Sequence, residues 1–149
     1  MSIGEDIQQK KFTSEFSKAL INIRYTESWI SQKFQGILKP SELTTPQYNI
    51  LRILRGQYPN PATINLLIER MIDKSSNASR IVDKLEEKGL VDRRRCKNDG
   101  RAVDVIISNE GLQILESLDG DLADLENKIK ILSDEEAEQL NTLLDKIRS

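Results

Sequence analysis

Between residues 63 and 107 the apolar side chains change period from helical to alternating, within a span that holds little more than two short helices and two short strands. Ile64, Leu67, Ile68 and Met71 recur at helical spacing over residues 63–71, and Ile72-Asp73-Lys74 interrupts them. Ala78, Ile81, Val82 and Leu85 then form one stripe of a second helical segment, residues 75–88, with Ser76, Asn77, Ser79, Arg80, Asp83 and Lys84 lying off it. Gly89 supplies the left-handed residue that ends such a helix. Residues 90–96 and 103–107 read as strands, the second alternating Val103, Val105 and Ile107. Between them Lys97-Asn98-Asp99-Gly100 carries the Asp-Gly signal of a hairpin turn.

Two short helices about three residues apart, followed by a hairpin, is the order of a winged helix-turn-helix. Long helices flank it. From Phe12 the residues Phe16, Ala19, Leu20, Ile23, Ile30, Phe34, Ile37 and Leu38 keep one apolar face over a segment that ends before Pro40. Thr44 with Gln47 three positions on makes a capping box, with Pro46 tolerated in the first turn. Gly56 is expected to close that helix, and Tyr58-Pro59-Asn60-Pro61 to make a turn. Downstream, Leu115, Leu118, Leu122, Leu125, Ile129 and Leu132 are spaced 3, 4, 3, 4, 3, a coiled-coil-like seam. Ser133 with Glu136 then opens a last helix bearing Leu140, Leu143, Leu144 and Ile147. The fold class is therefore mainly α with a small β-hairpin, the winged unit spanning residues 44–111 and the helical region covering residues 1–43 and 112–149. Phe12, Phe16, Leu118, Leu122, Leu125, Ile129, Leu140 and Leu144 are the expected dimerisation face, since terminal helices this apolar need a cover.

Composition excludes several chemistries. The 149 residues contain no histidine and one cysteine, so neither a Cys/His zinc site nor a Ser-His-Asp or Cys-His catalytic pair can be assembled from one chain. There is no glycine-rich phosphate loop, and an enzyme is not expected; no metal or cofactor is implied. Residues 1–11 are polar and charged, which gives no secretory signal, no apolar run approaches a membrane span, and a cytoplasmic protein is expected. The net charge of −2 hides a segregation. Residues 1–73 hold 9 Lys+Arg against 7 Asp+Glu, residues 74–101 hold 9 against 5, and residues 102–149 hold 4 against 12. A basic stretch at the second short helix and hairpin points to an anionic partner, and the acidic tail would repel one elsewhere.

The second helix of such a motif can enter the major groove of double-stranded DNA with its first residues facing base edges. Here Ser75, Ser76, Asn77, Ser79, Arg80 and Lys84 occupy it: hydroxyls donate or accept, asparagine can pair with adenine, and arginine with guanine or phosphate. Arg94, Arg95, Lys97, Asn98 and Arg101 would meet backbone or minor groove from the wing, with Asp99 aiming the Arg101 guanidinium. Strand alternation also requires at least one of Arg93, Arg94 and Arg95 to turn inward with its stem buried. A winged-helix protein-interaction module that binds no duplex DNA is the alternative, supported by Asp83, Glu86 and Glu87 within the same segment.

From Leu43-Thr44-Thr45-Pro46-Gln47 through Ser76-Asn77-Ala78-Ser79-Arg80-Ile81-Val82-Asp83-Lys84-Leu85-Glu86-Glu87-Lys88-Gly89-Leu90-Val91 to Asp99-Gly100-Arg101 and Gly111, the chain resembles a MarR-type transcriptional regulator. The resemblance implies a homodimer with intertwined terminal helices and two winged lobes on a pseudo-palindromic operator. It further implies Arg101 in the minor groove and the helix from Ser75 in the major groove. Regulators of this type, often repressors, commonly respond to a small aromatic effector held between the dimerisation and DNA-binding parts; Tyr25, Trp29 and Tyr48 are aromatic residues near that junction. Oxidant-sensing members carry a cysteine near the N-terminal helix, whereas Cys96 sits at a strand end and reads as a small apolar residue.

Overall fold

The computed structural model describes residues 1–95 and 103–149, and Cys96, Lys97, Asn98, Asp99 and Arg101 lie outside the described residues. In chain order these form α1 (Ile3–Asp6), α2 (Glu15–Leu38), a 3-10 turn (Lys39–Ser41), α3 (Thr45–Gln57), β1 (Ala62–Thr63), α4 (Ile64–Arg70), α5 (Ala78–Glu87), β2 (Val91–Arg95), β3 (Val103–Ile107), α6 (Asn109–Ile129) and α7 (Asp134–Arg148). Both expected capping boxes form. Thr44 Oγ1 accepts the Gln47 N–H at 3.2 Å while Gln47 Oε1 accepts the Thr44 N–H at 3.1 Å. Ser133 and Glu136 exchange the equivalent pair at 3.2 and 2.9 Å. Gly89 has φ +72 and ends the α5 segment as expected.

Three boundaries differ from the sequence expectation, each for a local reason. Gly56 does not close α3, which runs on to Gln57. Pro59 sets the stop, because Tyr58 ahead of it must leave the helical region and does so at ψ 135. The helix expected from residue 75 begins at Ala78, because Asp73 Oδ1 accepts both the Ser75 N–H (3.0 Å) and its Oγ–H (2.6 Å) and holds a turn in place of a helical one. Residues 62–63 are a strand, and Thr63 serves two elements: it pairs with Asp104 of β3, and its Oγ1 accepts the Leu66 N–H at 3.1 Å to cap α4. The sheet order is β1-β3-β2, antiparallel throughout, with Arg93 opposite Val105. The short α1 is a further addition, held by the buried Ile3.

One core fills the winged lobe. Ile50, Leu51 and Leu54 of α3, Leu67 of α4, Val82 and Leu85 of α5, and Val91 and Val105 of the sheet are buried, together with Leu38 of α2 and Leu115 and Leu118 of α6. Both long helices thus supply the lobe with side chains. This corrects part of the expected dimerisation face: Leu118 is spent on the lobe's own core and Leu125 is also buried within the chain, while Phe16, Ile129 and Leu140 are exposed and Phe12, Leu122 and Leu144 half-buried. A 3,4 spacing marks an apolar stripe but not what the stripe packs on. Ser108 Oγ caps α6 by accepting the Gly111 N–H at 3.1 Å and donates to the Gly89 carbonyl at 2.7 Å, tying α6 to the α5–β2 junction. On the surface the Arg55 guanidinium spans both Asp119 carboxylate oxygens at 3.0 and 2.9 Å, joining α3 to α6.

Candidate nucleic-acid interface

Burial of Ala78, Val82 and Leu85 fixes which side of α5 faces outward. That side presents Ser79, Arg80, Asp83 and Lys84, all exposed, with Asn77 and Ser75 exposed just ahead of them and Ser76 half-buried. Local bonding already commits some of these groups. Asn77 caps the helix, its Oδ1 accepting the Arg80 N–H at 3.1 Å, so a two-point contact to adenine would have to break the cap while Nδ2 remains free to donate outward. The Ser75 hydroxyl donates to Asp73, and the Ser75 hydroxyl and N–H together hold the Asp73 carboxyl below the usual carboxylate range. Lys84 Nζ lies 3.3 Å from Glu87, a surface pair of little energy that leaves the ammonium available.

Beside α5, β2 carries three arginines with different fates. Val91 and Arg93 share the core side of the strand by alternation; Arg93 is half-buried and donates to the Ser79 carbonyl at 3.2 Å and to the Asp83 carboxylate. Arg93 is thus the inward arginine that the alternation requires. Arg94 and Arg95 are exposed. The two elements therefore join a polar, partly basic helix face to a basic strand, and among the described residues no group of three or more His, Cys, Asp or Glu side chains is placed to hold a metal ion. No helix of the described residues is long and apolar enough to cross a membrane.

Sequence reasoning missed Asn49. It stands on the apolar side of α3 at 6% exposure, and its Oδ1 accepts the Ile72 N–H at 2.9 Å, pinning the turn that leads into α5. A polar residue inside the Tyr48–Leu51 apolar run was the signal that could have found it. Lys74, likewise unremarked, donates to the Ile68 carbonyl at 3.2 Å and to that of Glu69, closing the C-terminal end of α4. Above this turn, between α2, α3 and α7, lies a cavity of about 1300 Å³ with a mostly apolar lining that includes Ile30, Phe34, Tyr48, Met71 and Leu140. Tyr25 and Trp29 are partly exposed elsewhere on α2.

A helix-turn-helix backed by a three-stranded antiparallel sheet and flanked by long helices defines a winged-helix protein. The MarR family model matches residues 43–103. The chain is 30% identical over 128 residues, 85% of its own length and 72% of the other's, to the HTH-type transcriptional repressor IacR of Pseudomonas putida. It belongs to the MarR family of transcriptional regulators. Its fold is similar to that of S. aureus MepR in a DNA complex, at TM-score 0.78 and 22% identity over 92% of this chain and 97% of that one. It is also similar to a cysteine-to-serine variant of E. coli MarR complexed with operator DNA, at TM-score 0.77 and 24% identity over 93% and 99%.

Proposed function

We propose that this chain is a homodimeric, sequence-specific DNA-binding repressor, acting in the cytoplasm on a pseudo-palindromic operator and released by a small aromatic effector. The observation that carries it is the α5 face: with Ala78, Val82 and Leu85 buried, Ser79, Arg80 and Lys84 stand outward next to Arg94 and Arg95. Ser75, Ser76, Asn77, Ser79, Arg80 and Lys84 contact the major groove, and Arg94 and Arg95 the flanking backbone. Lys97, Asn98 and Arg101, with Asp99 orienting Arg101, extend that contact from residues outside the described set. Residues 44–111 do the reading; residues 1–43 and 112–149 hold two copies together. The exposed apolar residues of α2 and α7 support the second role, and the likeness to the repressor IacR and to MepR and MarR in complex with DNA supports the first. The apolar cavity supports the effector, since its floor at Met71 and Ile72 adjoins the turn into α5.

Fluorescence anisotropy on labelled duplex across a salt series tests the DNA contacts. Log affinity is expected to fall with log salt by about 0.9 for each phosphate neutralised, and Arg80→Ala and Arg94→Ala each to reduce that slope by about 0.9. Ser79→Ala is expected to change which duplex is preferred rather than the slope. Slopes unmoved by both arginine substitutions remove these contacts, and absence of duplex binding at low salt favours the protein-interaction alternative.

A further inference from the structure

We propose that Arg93 is a positioning residue that sets the wing against the reading helix through Asp83, and that it does not itself touch DNA; this rests on the DNA-binding function proposed above. The guanidinium leaves the middle of β2, where Arg93 is paired with Val105 of the central strand, and reaches α5 at two points one helical turn apart, the Ser79 carbonyl at 3.2 Å and the Asp83 carboxylate. Its side chain is 29% exposed and its Nε is buried with no partner among the described residues, so the group is held by α5 rather than offered to solvent. The next residue, Arg94, is exposed and pairs with Asp104 across the ladder, and by strand alternation it projects from the opposite side. Fixing Arg93 therefore fixes where Arg94 stands relative to Ser79 and Arg80. The same contact neutralises Asp83, a carboxylate that lies on the outward face of α5 between Arg80 and Lys84 and would otherwise oppose a phosphate backbone.

A charge exchange separates positioning from direct contact. Duplex affinity and its salt slope are measured for the wild type, Arg93→Ala, Asp83→Ala, the milder Asp83→Asn, the double alanine variant, and the exchanged pair Arg93→Asp with Asp83→Arg. Melting temperatures identify any variant that has lost its fold. Each single substitution is expected to weaken binding by about tenfold, the double to be no weaker than the singles, and the exchanged pair to recover most of the loss. All folded single variants are expected to keep the wild-type salt slope, because no phosphate contact has gone. The proposal is overturned if Arg93→Ala lowers the slope by about 0.9 while Asp83→Ala or Asp83→Asn tightens binding, which would make Arg93 a phosphate contact and Asp83 its opponent. Losses that add in the double variant and are not recovered by exchange overturn it as well. A wild type that binds no duplex contradicts the DNA-binding function itself, a result distinct from either.

Discussion

Replacing Leu140 with glutamate is expected to convert the protein to monomers and to lower affinity for a two-site operator by a factor of about 10² or more. The size of the effect follows from where the apolar surface lies. Among its 15 residues α7 has none that is buried, yet Leu140, Leu143 and Ile147 are exposed apolar side chains on it, and Phe16, Leu20 and Ile23 lie open on α2. Side chains of this size left facing solvent along two helices exceed the scattered exposure normal for a folded monomer, and a second copy is the cover proposed above. A carboxylate buried there without a partner costs more than the apolar contact it replaces. Leu140 is 47% exposed within one chain, so the substitution leaves the core around Leu51 and Val82 intact. Sedimentation equilibrium and duplex titration check the two halves: a folded Leu140→Glu monomer with weakened binding is expected, and a dimer of unchanged affinity would show that α7 lies outside the interface.

The second large effect belongs to α6, where the same substitution at two glycines is expected to act with opposite sign. A Cβ on Gly111 would run into the Leu90 carbonyl and stand 2.7 Å from Ile107 Cγ1. Neither neighbour can withdraw cheaply. The Leu90 carbonyl accepts the Ser108 N–H at 3.0 Å, and Ile107 is buried at the end of β3. Gly111→Ala is therefore expected to destabilise the fold by about 3 kcal/mol, the upper part of the overpacking range. That loss lowers the melting temperature by roughly 6–12 °C for a domain of this size. A Cβ on Gly120, in the same helix, would meet nothing within 4 Å, and Gly120→Ala is expected to stabilise by up to about 1 kcal/mol through helix propensity. Thermal melts followed by circular dichroism read both; a harmless Gly111→Ala would contradict the close packing of α6 on the α5–β2 junction.

Much of this architecture was legible because local chemistry and global fold agree. The Thr44–Gln47 and Ser133–Glu136 boxes, the left-handed Gly89 and the alternation of Val103, Val105 and Ile107 each name an element without reference to the rest of the chain. What was not legible depends on distant partners. Ala62 and Thr63 form a strand only because Val105 and Asp104 offer an edge to pair with, and a two-residue strand has no period of its own. Leu118 and Ile129 fit one heptad pattern, yet the first joins the lobe's core and the second is exposed, a division set by where α3 lies beneath α6. At the candidate interface the residue types of α5 were readable in order, but its start was not, since Asp73 competes with the helix for the Ser75 N–H. Alternation required one of Arg93, Arg94 and Arg95 to turn inward; the Ser79 carbonyl and the Asp83 carboxylate decided that it was Arg93. Gly111 entered only as part of a family resemblance, and its reason is steric: α6 begins too close to the Leu90 carbonyl for any side chain.

Selection of bound duplexes from a random pool by the full-length protein at physiological salt probes DNA recognition, two-fold symmetry and half-site spacing together. The expected product is a family of pseudo-palindromes whose half-sites are centred about one helical turn, roughly 34 Å, apart, enriched over random duplex by a factor of about 10³ or more. A pool that emerges as random as it entered, or one converging on a single unsymmetrical half-site, would contradict a pair of winged lobes reading one stretch of DNA.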